Sequence, residues 1–177
     1  MKKFINIIAA TMALFLVLMF SPILAESVSA RNWEIVTVHG HSGHVEYMDR
    51  VQNADIYKGW GLNIDQKPGL FNWIHFSIPV PYGAKVRYLG IQFKTLSGDI
   101  MIADFHVYNG GIFIYDSPPM NLTSTDNTYR GNFYVIDMGV EHAINSALSL
   151  CINIGAGVEA MNHAIQIFAA GTLYFNE

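Results

Sequence analysis

Two consecutive runs constrain this chain more than anything else in it. In Arg87 to Thr95, Leu89, Ile91 and Phe93 alternate with Gly90, Gln92 and Lys94. In Ile100 to Tyr108, Met101, Ala103, Phe105 and Val107 alternate with Asp104, His106 and Tyr108. Successive side chains of a strand point to opposite faces, so a period of two means one face on a core and the other facing out. Ser97-Gly98 separates the two runs, and Asn109-Gly110 leads from the second into Ile112 to Tyr115. Asn-Gly tolerates positive φ and is a strong hairpin signal. The spacing predicts an antiparallel meander over these three strands.

The rest of the chain repeats the pattern, with helical periodicity nearly absent. Further strands are predicted over Trp33 to Val38, His44 to Met48, a region from Ala54 to Ile64 interrupted by Gly59-Trp60-Gly61, Phe71 to Val80, Phe133 to Met138, Leu148 to Ile154 and Ala164 to Tyr174. Val140 to Ser146 is expected to hold a helical turn. Asp116 to Arg130, polar and with two prolines, is expected to be the longest loop, either functional or crossing between sheets. About nine short strands at regular spacing predict an all-β fold: a two-sheet antiparallel β-sandwich of jelly-roll kind, after an N-terminal signal helix. Pairing of the last strand with an early one would shield an edge.

The N-terminus reads as an address. Met1, Lys2 and Lys3 precede a run from Phe4 to Phe20 in which only Asn6 and Thr11 are polar; Ser21-Pro22 then breaks it, and Ala25 follows. That order is a secretory signal peptide's. The expected organisation is a signal peptide over 1–25, a lead-in and first strand over 26–38, and the β-sandwich domain over 39–177. Cleavage after Ala30 is the second choice, and an uncleaved membrane anchor the alternative, although the run is slightly short for a span. No cysteine near the cut supports a lipid anchor. The expected location is secreted or extracytoplasmic, at the cell surface or in the periplasm.

Charge narrows the partners. The chain has 10 Lys and Arg against 14 Asp and Glu. Loss of Lys2 and Lys3 with the signal leaves eight basic groups and a net charge of −6. Such a balance argues against nucleic acid or anionic lipid as the main partner. Membrane contact is expected only through the signal segment, if it is kept. Cys151 is the only cysteine, so no internal disulfide can form, and in Leu148 to Ile154 it reads as an ordinary sheet residue.

Three candidate sites follow from the residues. His39, His41 and His44 place three imidazoles within six residues; zinc or copper accepts neutral imidazole, but the spacing matches no specific motif, and a polar loop is the plainer reading. Trp60 between two glycines, and Trp73 with His75 opposite Ile74, Phe76 and Ile78, form a candidate aromatic surface, with Tyr57, Tyr82 and Tyr108 as further members. Flat rings with a polar tip stack on sugars; the alternative is burial of the same rings. Asp104 with His106, or Asp99, Asp116 and Asp137, could serve acid–base chemistry, but nothing fixes their separation, and no nucleophile elbow or phosphate loop is present. Asn121-Leu122-Thr123 is a glycosylation triplet.

Gly59-Trp60-Gly61, then Asn72-Trp73-Ile74-His75 running to Ile78-Pro79-Val80-Pro81, then His106-Val107-Tyr108-Asn109-Gly110, together resemble a family of small uncharacterised microbial domains of unknown function. The likeness extends from about His39 to Phe175, with Asn109 where Asp is usual. It implies a β-sandwich and no activity. It marks Trp60, Trp73, His75, His106 and Tyr108 as the residues to examine. The expected function is a non-enzymatic exported binding module, without cofactor, for a carbohydrate, another small ligand or a cell-surface component. A structural or self-associating surface protein is the alternative, and a metal-dependent site at the histidine loop a lesser one.

Overall fold

The alternating runs do become strands. A computed structural model describes residues 32–124, 132–159 and 162–176; the expected signal segment lies outside them. The described residues form eleven strands: β1 Glu34–His39, β2 His44–Val45, β3 Tyr57–Lys58, β4 Gly61–Asp65, β5 Phe71–Ile78, β6 Lys85–Thr95, β7 Ile100–Asn109, β8 Ile112–Asp116, β9 Asn132–Ala143, β10 Leu148–Ala156 and β11 Ala164–Phe175. All pairings between them are antiparallel. The single region expected from Ala54 to Ile64 is two strands, because Gly59-Trp60 turns between them.

The strands make two sheets. One runs β3-β4-β11-β6-β9, with β1 also on β11; the other runs β2-β5-β10-β7-β8. The chain therefore changes sheet at most connections, and the apolar faces meet in one core. Leu62, Ile64, Leu89, Ile91, Ile165 and Ile167 from the first sheet and Ile74, Phe76, Ile102, Phe105, Ile152 and Ile154 from the second are buried. Each such side chain contributes about 1.5–3 kcal/mol on leaving water. The compact unit starts at Trp33, since β1 pairs with β11 from Glu34↔Tyr174 to His39↔Ala169. That pairing of the last strand with the first was expected.

Three expectations are corrected. The meander does not form: β6 lies between β11 and β9, while β7 pairs with β10 and β8. Ser97-Gly98 thus crosses between sheets, and of these three strands β7 and β8 alone pair as a hairpin, turning at Gly110 with φ +63°. The helical turn after Val140 is strand, because Val86 and Lys85 pair with His142 and Ala143 beyond an irregularity that includes Gly139 at φ +80°. Met101 and Ala103 do not share the core face of Phe105 and Val107. A bulge opposite Asn153/Ile154 shifts the register, so that Ile100 and Ile102 are buried instead.

The described start of the long loop does cross between sheets. Ser117 and Met120 donate to Phe105 and Ala103, Leu122 bridges to Ile102, and Ser124 O accepts from Thr95 N of β6. The rest of that loop, 125–131, lies outside the described residues.

Candidate functional site

The outer face of the β2-β5-β10-β7-β8 sheet carries an unusual set of side chains. The registers place His44 opposite His75, His75 opposite Cys151, Cys151 opposite His106, and His106 opposite Asp116. One row across five strands therefore reads His44, His75, Cys151, His106, Asp116. In the next row, Trp73 pairs with Asn153 and Asn153 with Asp104, while Glu46 donates its backbone N–H to Trp73 O. On the other side, Ser149 lies opposite Tyr108, and Tyr108 opposite Phe113. These positions point outward because their neighbours Ile74, Phe76, Leu150, Ile152, Phe105 and Val107 are packed into the core.

Neighbouring groups hold most of these side chains in place. Glu46 Oε2 is 3.0 Å from His75 Nε2, and His75 Nδ1 is 3.1 Å from Cys151 Sγ. Burial, and then the negative charge of Glu46, push the Cys151 thiol up to about 11. The thiol therefore keeps its proton and donates it to Nδ1, leaving Nε2–H to donate to Glu46. Hydrogen bonds from Tyr47 first and His75 second hold the Glu46 carboxyl below the usual carboxylate range. On the far side, His106 Nε2 is 3.2 Å from Asp116 Oδ1 and 4.0 Å from Asp104 Oδ1. Asn153 Nδ2 donates to Asp104 Oδ2 at 3.1 Å.

The rings form a cluster of their own. Trp73 and His106 have centroids 4.5 Å apart, His106 and Phe113 5.2 Å, and Tyr108 and Phe113 5.3 Å. Offset and edge-on contacts of this kind suit the aromatic quadrupole. Trp73, His106 and Tyr108 are half-buried, and Phe113 is exposed.

Four of the five residues expected at an aromatic site, Trp73, His75, His106 and Tyr108, thus lie on one face. Trp60 does not join them. It sits in the β3–β4 turn of the other sheet with its ring 5.4 Å from Phe168. That turn closes onto β11 because Gly61, at φ +151°, leaves room where a Cβ would meet the Ile167 carbonyl. Tyr57 is also in that sheet, its ring 4.9 Å from His41, and Tyr82 is in an exposed loop.

The three histidines of the loop are divided. His39 ends β1 and accepts from His41 N, and His41 Nδ1 is 3.3 Å from Lys58 O. His44 has passed into the other sheet beside His75, because residues 40–42 form one 3-10 turn that carries the chain across. Among the described residues, no group of three or more His, Cys, Asp or Glu is arranged to hold a metal.

Of the carboxylates considered for acid–base work, Asp99 pairs with the fully buried His163 at 2.7 Å. Asp137 makes a two-pronged pair with Arg87, Nε–Oδ1 at 2.7 Å and Nη2–Oδ2 at 2.9 Å. Only Asp104 and Asp116 reach the aromatic face. Glu46, Cys151, Asn153 and Phe113 complete it and were not expected as site residues. The alternation of Ser149, Cys151 and Asn153 with apolar residues was the signal for two of them.

The thiol gives a direct check. A proton held two pKa units above the ordinary 9.0 leaves about a hundredth of the usual thiolate, and the thiolate is what reacts. Alkylation of Cys151 in mildly alkaline buffer is expected to be about a hundredfold slower in the native protein than in denaturant. The sign for stability follows. The folded state keeps a proton that the unfolded chain gives up, so this contribution is complete below pH 9.0 and is lost as pH rises through about 11. Cys151→Ala should flatten that part of an alkaline unfolding profile; an unchanged profile contradicts the assignment.

No protein-family model and no curated protein matches the sequence. Several solved structures are similar in fold. A family 35 carbohydrate-binding module from Clostridium thermocellum is 12% identical, covering 78% of this chain and 97% of that one, with a TM-score of 0.48. One of the same family from Paenibacillus barcinonensis is 13% identical over 74% of this chain and 96% of that one, TM-score 0.43. A family 29 module from Piromyces equi is 13% identical over 82% and 91%, TM-score 0.43. At these values the likenesses carry no argument about function.

Proposed function

We propose that this chain is an exported, non-enzymatic binding module that takes a carbohydrate on the outer face of the β2-β5-β10-β7-β8 sheet. The observation that carries this reading is the continuous aromatic and hydrogen-bonding surface from Glu46 and His75 through Trp73 and Asn153 to His106, Tyr108 and Phe113, with Cys151 buried beneath it. A sugar ring offers apolar C–H faces to stack on rings and hydroxyls to bond at their edges. Side chains already held by neighbours lose little freedom when a ligand arrives. The binding role expected from the sequence is kept here, with Trp60 left out of this face.

Glu46, His75 and Cys151 stand in the order acid, base, thiol, which resembles a nucleophilic triad. Two features favour binding over catalysis. The thiol is protonated, and Cys151 lies in mid-strand between two paired strands, where the ladder engages the amides that would serve as oxyanion donors. Calorimetric titration with soluble neutral oligosaccharides tests the reading, with amide shift mapping to place the ligand. Saturable binding with shifts on β5, β7 and β10 is expected. An absence of heat and shifts at millimolar ligand sinks it.

Export rests on residues 1–25 and their resemblance to a signal sequence. The protein recovered outside the cytoplasm is expected to start at Glu26 by N-terminal sequencing; a start at Met1 in the cytosol overturns export.

The alternative of self-association has one observation behind it. Among the described residues β8 is an edge strand, without lysine or proline, and its Ile112 and Phe113 are 68% and 49% exposed. Edges of that kind invite pairing. Light scattering would then report a dimer or larger.

A further inference from the structure

Charge on the same face is one-sided. Strands β2, β5, β7, β8 and β10 contain no lysine or arginine, whereas the other sheet holds Lys58, Lys85, Arg87 and Lys94; Arg50, at the Glu46 end of the face, is held on Phe71 O and over the Tyr47 ring. The face presents three carboxylates, Glu46, Asp104 and Asp116, with side-chain exposures of 37%, 24% and 59%. Three of its donors are engaged by its own acceptors: His75 on Glu46, His106 on Asp116, and Asn153 Nδ2 on Asp104. Acceptors are left over. Asp104 Oδ1 and Asn153 Oδ1, in one cross-strand pair, have no hydrogen-bond partner among the described residues. Trp73 is the next residue in that row, and His106, Tyr108 and Phe113 surround the far side.

Carboxylates set beside aromatic faces describe the complement of a protonated amine. An ammonium brings three donors and a positive charge, forms charge-assisted bonds to carboxylates, and is attracted to ring faces. A uronate brings the opposite charge and is repelled.

Resting on the binding reading above, we infer that the preferred ligand is a sugar bearing a free amine, its ammonium against the exposed Asp116 carboxylate on the outer side of His106, and its ring over the Trp73–His106–Phe113 cluster.

The test compares three probes on the intact domain at low salt: a glucosamine oligomer, its N-acetylated counterpart of equal length, and an oligogalacturonate. The glucosamine oligomer should bind at least about tenfold tighter than the N-acetylated one, by the difference between charged and neutral hydrogen bonds. The oligogalacturonate should bind weakest. Asp104→Asn and Asp116→Asn should each shrink the preference for the amine form over the N-acetylated one. Spermidine should compete less well than the glucosamine oligomer. Equal binding of amine and amide forms, or preference for the uronate, overturns the inference and leaves a neutral-sugar site. Tighter binding of spermidine alone overturns the sugar part. Binding of none of the probes overturns both the inference and the reading beneath it.

Discussion

Trp73→Ala is expected to cost oligosaccharide binding about 2 kcal/mol or more, the size of an aromatic hot spot, which is about thirtyfold in Kd. Trp73 sits in the middle of the face, between Glu46 on one side and Asn153 on the other, with its ring against His106 at 4.5 Å. It supplies the largest flat apolar area on the sheet. Its removal also frees the His106 ring, which then holds Asp116 with less constraint. The fold should survive, because the side chain is only half-buried and its loss affects stability by about 1 kcal/mol. Trp60→Ala is the matched control. Its ring lies against Phe168 in the other sheet, so binding on the proposed face should be unchanged. Titration calorimetry of both variants, with circular dichroism to establish folding, checks the pair. A folded Trp73→Ala that binds as tightly as the native protein would move the site elsewhere.

Three residues along the same strand the expected effect reverses. Phe76 is fully buried in the core between the sheets, and Phe→Ala at such a site typically costs about 3–5 kcal/mol through lost transfer energy and the cavity left behind. Against a typical total of about 5–15 kcal/mol, that is a large fraction. For a domain of this size the midpoint of thermal unfolding should fall by about 10 °C. The surviving folded fraction should still bind, since the outward side chains are untouched. A calorimetric scan with a shift of only a degree or two would contradict the burial assigned to this residue. The two substitutions separate the two faces of β5: one spares the fold and loses the ligand, the other does the reverse.

That division was legible in the alternation of Phe71 to Ile78. Where alternation ran unbroken, as in β5 and β10, it placed Trp73, His75, Cys151 and Asn153 on the outward face correctly. It failed in β7, where one extra residue at the bulge reversed the parity of Met101 and Ala103 relative to Phe105. It also failed for the order of strands. Leu89, Ile91 and Phe93 of β6 and Phe105 and Val107 of β7 look alike as apolar stripes, and nearness in sequence suggested that they pair. They face each other from opposite sheets instead. The stretch after Val140 had the composition of a helical turn, and pairing with Lys85 and Val86 overrode it.

The histidines show the same limit. His39, His41 and His44 are close in sequence, yet a single turn sends the third to another sheet. Conversely, Glu46, His75 and Cys151 are far apart in the chain and meet within 3.0 and 3.1 Å. Such pairings depend on register, which is set by the turns and bulges of every strand between them.

The local order of residues determined the all-β character and which side chains of an unbroken strand turn away from the core, because the pleat has a period of two and needs no partner to express it. Folding in three dimensions decided which strands became neighbours, and so assembled the row His44, His75, Cys151, His106, Asp116 while sending Trp60 to the other sheet. Apolar stripes are interchangeable to the hydrophobic effect, which is non-directional; only closing the whole core selects one arrangement.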